Sequence, residues 1–200
     1  MLYAPSDYQS DEAFWRLART IRTQSPEESK EKTQTDIEDL STDSVTATPG
    51  RPAAPSEVVS DPRVEHFLAE ELALNKLSSI YGDKFLPQKV FELRGRKYSV
   101  DGLISTGRQL TVFEIKYFPK LQTPLNGIGR TYSSFKEMFV RMDERTAPLA
   151  GFVVVIVTPI SKDEQELLRM RLGEFTQRPG LSIVFEIFDF GELKKEYGIE

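Results

Sequence analysis

The sequence predicts an α/β domain, a mixed sheet flanked by helices, behind a disordered N-terminal arm. Three observations carry this. From Asp61 onward, segments of helical and strand periodicity follow one another in the order αβββα-β-α-β. One run, Gly151–Thr158 (GFVVVIVT), is β-branched and apolar without alternation, as in a strand covered on both faces. By contrast, residues 24–60 carry Ser, Thr, Glu and Pro, no aromatics and no sustained apolar period, so they cannot bury enough surface to offset their ordering entropy.

The elements follow in order. Asp11–Thr23 places Phe14, Leu17, Ala18 and Ile21 on one helical stripe beside the only tryptophan, Trp15. This short amphipathic segment, residues 1–23, either folds back on the domain or docks a partner, a second copy or a larger complex. Residues 24–60 form the acidic linker, and the folded domain spans 61–200. Asp61 and Pro62 supply an N-cap and a first-turn proline. Val64, Phe67, Leu68, Glu71, Leu74, Leu77 and Tyr81 recur at helical spacing before Gly82 stops the helix. Strands follow over Gln88–Leu93, Lys97–Ser105 and Gln109–Phe118, joined by Arg94-Gly95-Arg96 and Thr106-Gly107-Arg108. Leu125–Arg145 is a second helix, Gly151–Thr158 the buried strand and Lys162–Thr176 a third helix. Leu181–Phe188 is the last strand, and Glu192–Tyr197 a closing helix. A hairpin meander feeding a crossover helix and a buried parallel strand gives the mixed sheet.

Composition narrows the chemistry. The chain has 200 residues, no Cys and a single His, His66. Thiol nucleophiles, Cys-ligated metals and multi-His centres are excluded, so any metal must rest on oxygen ligands. The longest apolar run is too short to cross a bilayer and no signal segment opens the chain, so the expected setting is cytoplasmic, away from membranes. Charge is segregated. Residues 1–60 carry 6 Lys+Arg against 11 Asp+Glu, a net of −5, whereas 84–145 carry 12 against 6, a net of +6. An acidic whole therefore hides a basic middle, and net charge does not argue against nucleic acid.

Charged residues stand where strands should not want them. Asp101 interrupts YSVDGLIS; Glu114 and Lys116 interrupt LTVFEIKYF. Glu114 and Lys116 are two apart and leave one face of their strand, while Phe113, Ile115 and Tyr117 leave the other. The intervening turn makes the two strands antiparallel neighbours and sets Asp101 roughly level with Glu114. Two carboxylates and a carbonyl oxygen suit a hard cation such as Mg²⁺. Such an ion would polarise a phosphoryl oxygen and acidify a bound water, with Lys116 orienting that water or stabilising developing charge.

Val100-Asp101, then Glu114-Ile115-Lys116 thirteen positions on, resembles the PD-(D/E)xK nuclease superfamily and its restriction-endonuclease-like αβββαβ core, over residues 61–190. Val100 stands where the motif's name has Pro. The resemblance implies that Asp101 and Glu114, with the Ile115 carbonyl, hold Mg²⁺ or Mn²⁺ and that Lys116 assists the attacking water. It also implies a further Glu from the first helix. Glu71 is expected in that role because it falls on the apolar stripe; one residue of rotation would favour Glu70, and Glu65 faces away with it. The implied activity is a metal-dependent nuclease, DNA being the first substrate. The alternative is a nuclease-fold module that binds without turnover, or an accessory subunit of a nucleic-acid-processing complex.

Other features carry less. His66 is expected on the exposed side of its helix. Arg94, Arg96, Lys97, Arg108, Lys120 and Arg130 surround the strand ends and serve equally as phosphate contacts or loop charges. Gly127-Ile128-Gly129-Arg130 lacks the Lys-Ser/Thr and the preceding strand of a phosphate loop. Tyr132 is better placed for packing than for substrate.

Overall fold

A computed structural model describes residues 16–41, 62–106, 109–123, 125–142, 150–176 and 181–199. Its elements are β1 (Arg22–Thr23), α1 (Pro26–Ser41), α2 (Pro62–Tyr81), a 3₁₀ turn (Gly82–Lys84), β2 (Phe85–Leu93), β3 (Arg96–Thr106), β4 (Gln109–Tyr117), α3 (Asn126–Arg141), β5 (Ala150–Thr158), α4 (Lys162–Thr176), β6 (Ile183–Asp189) and α5 (Phe190–Glu196). The strands lie in sequence order in one six-stranded sheet. The β1–β2, β2–β3 and β3–β4 pairs are antiparallel; β4–β5 and β5–β6 are parallel. The expected mixed sheet flanked by helices is therefore present.

Two parallel connections running in the same direction along the sheet put both crossover helices on one face. Ile128, Phe135 and Met138 of α3 and Leu168 and Leu172 of α4 accordingly share a core with Leu110, Val112, Phe152, Val154 and Ile156. The opposite core joins Ala69, Leu72, Ala73 and Leu77 of α2 and Phe190 and Leu193 of α5 to Phe113, Ile115, Tyr117, Val153, Val155 and Val157. β5 contributes alternate residues to both cores, which is why it reads as one unbroken apolar run. Each such Val or Ile contributes about 1.5–3 kcal/mol of burial.

The β2–β3 hairpin closes through Arg94 (φ 49°) and Gly95 (φ 80°), the pair of positive φ values that a type I′ turn demands. Both strands of the hairpin then change face midway. Phe85 belongs to the α2 core and Phe91 to the α3 core; Val100 and Leu103, three apart, belong to the same core. The switch falls at Gln88, held at φ 49°, and across the hairpin at Asp101-Gly102, while the register of the pair is the same on either side. A Cβ on Gly102 would lie 2.4 Å from ring carbons of Phe85 and 3.3 Å from Phe113 Cβ; only glycine fits there.

Two expectations about the N-terminal arm change. The linker expected over 24–60 is helical over Pro26–Ser41. Its start is a capping box: the Ser25 backbone N–H donates to Glu28 Oε2 (2.8 Å) and the Glu28 N–H donates to Ser25 Oγ (3.2 Å). Residues 42–61 lie outside the described residues. Of the helix expected over Asp11–Thr23, residues 11–15, Trp15 included, also lie outside; 16–18 are helical, and Arg22–Thr23 add a short edge strand. Leu17 is buried in the α3 core with Ile21 against it, so this end folds back on the sheet.

Candidate functional site

The site forms where β3 leaves β4. Paired positions run from Thr106–Gln109 to Gly102–Phe113. Beyond them, the Ile115 N–H donates to Asp101 Oδ2 at 2.7 Å, so a side chain takes the place of the ladder and fixes that carboxylate against β4. Glu114 and Lys116 continue the alternation of Leu110 and Val112, and Lys116 Nζ donates to Glu114 Oε1 at 3.1 Å. Asp101 (1% exposed), Glu114 (8%) and Lys116 (7%) are all buried. The structure thus brings the three residues singled out from the strand pattern into one cluster.

Helix α1 completes it. Lys32 Nζ contacts Asp101 Oδ1 and lies 2.9 Å from Glu114 Oε1. Asp36, one turn on, accepts from Lys116 Nζ. Neither residue was expected, because the segment was read as linker. The two carboxylates from separate strands thus point at one small cation, an ammonium. Among the described residues, no three Asp, Glu or His side chains form a ready metal cluster, so Asp101 and Glu114 stand as a pair.

Burial and crowding shift the titrations. Burial, then Glu114, raises Asp101 to about 6. Burial opposes the charge on Lys32, but Asp101, Glu114, Asp36 and Glu70 overcome it and hold the ammonium well above the ordinary lysine value. Burial likewise opposes Lys116, and Glu114 and Asp36 raise it. Asp36 is held below its ordinary value: burial works the other way, but Lys116 and Lys32 outweigh it.

Helix α2 is rotated from its expected setting. Glu71 faces solvent, and Val64 (60%) and Phe67 (58%) are exposed, whereas His66, Ala69, Ala73 and Leu77 are buried. Small alanines let the helix approach the sheet, which decides its inner face more strongly than the bulkier Val64 and Phe67. Glu70 replaces Glu71 as the inward carboxylate: burial, then the Asp101 charge, raises it to about 8. Glu65 accepts the Tyr117 hydroxyl at 3.0 Å. His66, expected exposed, is 3% exposed, lies edge-on to Tyr117 and has no hydrogen-bond partner for either ring nitrogen among the described residues. Burial lowers its pKa and favours the neutral ring.

A cavity of about 330 Å³ opens beside the cluster, lined among others by Lys32 and Asp36 of α1, Glu114 and Lys116 of β4, and Arg130 and Thr131 of α3. Of the other basic residues, Arg96 pairs with Glu137 at 2.5 Å; Arg108 lies outside the described residues. Tyr132 is buried in the α3 core, as packing requires.

No protein-family model and no curated protein sequence matches the chain. Solved structures similar to it include Can2 from Sulfobacillus thermosulfidooxidans in complex with cyclic tetra-adenylate, with 13% identity and a TM-score of 0.36, covering 96% of this chain and 50% of that one. Protein VC1899 from Vibrio cholerae is similar at 12% identity and a TM-score of 0.32, over 98% of this chain and 55% of that one. The chain spans about half the length of these structures. Among the described residues, no helix is long and apolar enough to cross a membrane.

Proposed function

We propose that the chain is a metal-dependent nuclease of the PD-(D/E)xK type, with a restriction-endonuclease-like core, hydrolysing phosphodiester bonds in DNA. The observation that carries this is the convergence of Asp101 and Glu114, from two strands, on a single cationic point with the Lys116 ammonium beside it. Hard-cation chemistry fits this donor set: two carboxylate oxygens, with the Ile115 carbonyl and water to complete a shell. A bound Mg²⁺ or Mn²⁺ would supply Lewis-acid polarisation of a phosphoryl oxygen and a more acidic water.

The protein's own groups do the rest. The Ile115 N–H fixes Asp101, leaving Oδ1 free to face the cation position. Lys116 Nζ, already a donor to Glu114, can hold the attacking water or the charge that develops on phosphorus-bound oxygen. Burial and the Asp101 charge push Glu70 up to about 8, so beside this cluster it can donate a proton or a hydrogen bond at neutral pH. Arg130, in the lining of the cavity, offers a phosphate contact.

The test is cleavage of supercoiled plasmid, a branched junction and single strands, each with Mg²⁺, Mn²⁺ or EDTA. Asp101→Ala, Glu114→Ala and Lys116→Ala should each lower cleavage by about 10²-fold or more while the protein stays folded. Unaltered cleavage by Lys116→Ala overturns the assignment. Divalent-ion binding without cleavage of any substrate makes the chain a binding module on the same fold.

A further inference from the structure

Helix α1 is an unusual cover for a buried site. Over its 16 residues, PEESKEKTQTDIEDLS, the large apolar side chains are Ile37 and Leu40. What it brings instead is a pair of opposite charges, four residues apart on one face. Lys32 (14% exposed) meets Asp101 and Glu114; Asp36 (9%) meets Lys116. Each charge of the strand cluster thus faces its opposite on α1. Burying ions costs several kcal/mol each, so an arrangement that pairs all of them is held by complementarity and not by apolar area. The cavity between α1 and α3 shows that the helix does not close-pack over the site. Its tether, in contrast, is secure. Arg22 and Thr23 pair with β2, the Gln24 N–H donates to Gln88 O at 2.9 Å, and Gln24 Nε2 donates to Val100 O at 2.9 Å.

We propose that α1 is a resident occupant of the site that mimics both reactants: Lys32 stands in the place of the divalent cation between Asp101 and Glu114, and Asp36 stands on Lys116 in the place of a substrate phosphate oxygen. Helix and reactants then compete for the same groups, and the site becomes available when α1 swings out on the Gln24 tether. The inference rests on the nuclease reading for the identity of the phosphate, but not for the cation, whose competition with Lys32 needs only the carboxylate pair. An ammonium carries one charge and a divalent ion two, so an ion that sheds its water can outbid the lysine; the negative charge of a nucleic-acid strand would likewise displace Asp36.

The experiment uses the full chain and Mn²⁺ as probe. Calorimetry on wild type and Lys32→Ala measures ion affinity, and mass spectrometry follows acylation of Lys32 in the wild type with and without Mn²⁺. Lys32→Ala should bind Mn²⁺ at least about tenfold more tightly, and Mn²⁺ should speed acylation of wild-type Lys32 several-fold by expelling it into water. Equal affinity in the two proteins, no ion binding in either, or bound Mn²⁺ with unchanged acylation each overturns the proposal. Should Lys32→Ala not fold, the wild-type acylation decides alone. Cleavage separates this proposal from the nuclease reading. A Lys32→Ala protein that binds Mn²⁺ more tightly, when neither it nor the wild type cuts any substrate, keeps the occupant and removes the nuclease. One that loses cleavage shown by the wild type makes Lys32 part of the machinery and overturns the occupant.

Discussion

Helices α3 and α1 cover neighbouring stretches of the same strand by opposite means. Leu110 and Val112 of β4 share a core with Ile128, Phe135 and Met138 of α3. Two and four residues further along the same face, Glu114 meets Lys32 and Lys116 meets Asp36 of α1. The apolar cover is non-directional and has no competitor but water. The ionic cover is directional, and any ion of the right charge can replace it. A strand that buries a charged cluster therefore needs a cover of the second kind, because an apolar helix would leave those charges unpaired.

The largest expected effect breaks the apolar side. Phe135 is 1% exposed and its ring centroid lies 4.8 Å from that of Phe152. Phe135→Ala should cost about 3–5 kcal/mol in denaturant unfolding, with little dependence on salt, since only packing is lost. A loss below about 1 kcal/mol would mean that α3 is not the cover on which the sheet depends.

The same contrast explains what was legible in the sequence. Strands and helices of the apolar kind announce themselves by local period, and α4 was expected over the residues it occupies while the other elements lie within a few residues of theirs. Asp101, Glu114 and Lys116 stood out because charges in apolar strands are expensive and their two-residue offset fixes a common face. Helix α1 was hidden because its partners are 69 and 80 residues away along the chain, beyond any local window. Its one local signal was Ser25-Pro26-Glu27-Glu28, an N-cap, a first-turn proline and a capping-box glutamate, standing in a segment whose composition suggested a linker. His66 was expected on the exposed side, and Glu70 stood only as the alternative to Glu71, for a different reason. Val64 and Phe67 drew the apolar stripe toward themselves, and the real inner face is set by Ala69 and Ala73, whose smallness counts more than their hydrophobicity.

An intermediate effect sharpens the comparison at the edge of the charged cluster. Glu70 titrates at about 8 against an ordinary 4.5. Between those values the folded chain keeps a proton that the unfolded chain has released, so stability falls as pH rises through that window. Glu70→Gln removes the titration. It should therefore be neutral near about pH 4.5 and increasingly stabilising as the pH rises towards about 8. Melting curves of both proteins across that range decide it: a difference that does not grow with pH would mean that neither burial nor the Asp101 charge raises Glu70.

The smallest effect separates the two covers most cleanly. The N-cap position of α3, Leu125, makes no side-chain cap, and that helix relies on its buried face. Helix α1 has little apolar face, so its capping box is a large part of its local stability. Ser25→Ala should cost α1 about 1 kcal/mol, a factor of about five in its opening equilibrium. Hydrogen exchange reads this directly. Amides of α1 should exchange about fivefold faster, while those of β4, β5 and α3 keep their rates, because opening α1 need not disturb the apolar cores. If the core amides quicken in step with α1, the helix is part of the cooperative fold and the two covers are energetically one. If only α1 responds, its release is a local event held back by ion pairs and one cap, which is the property a displaceable occupant of the Asp101–Glu114–Lys116 cluster requires.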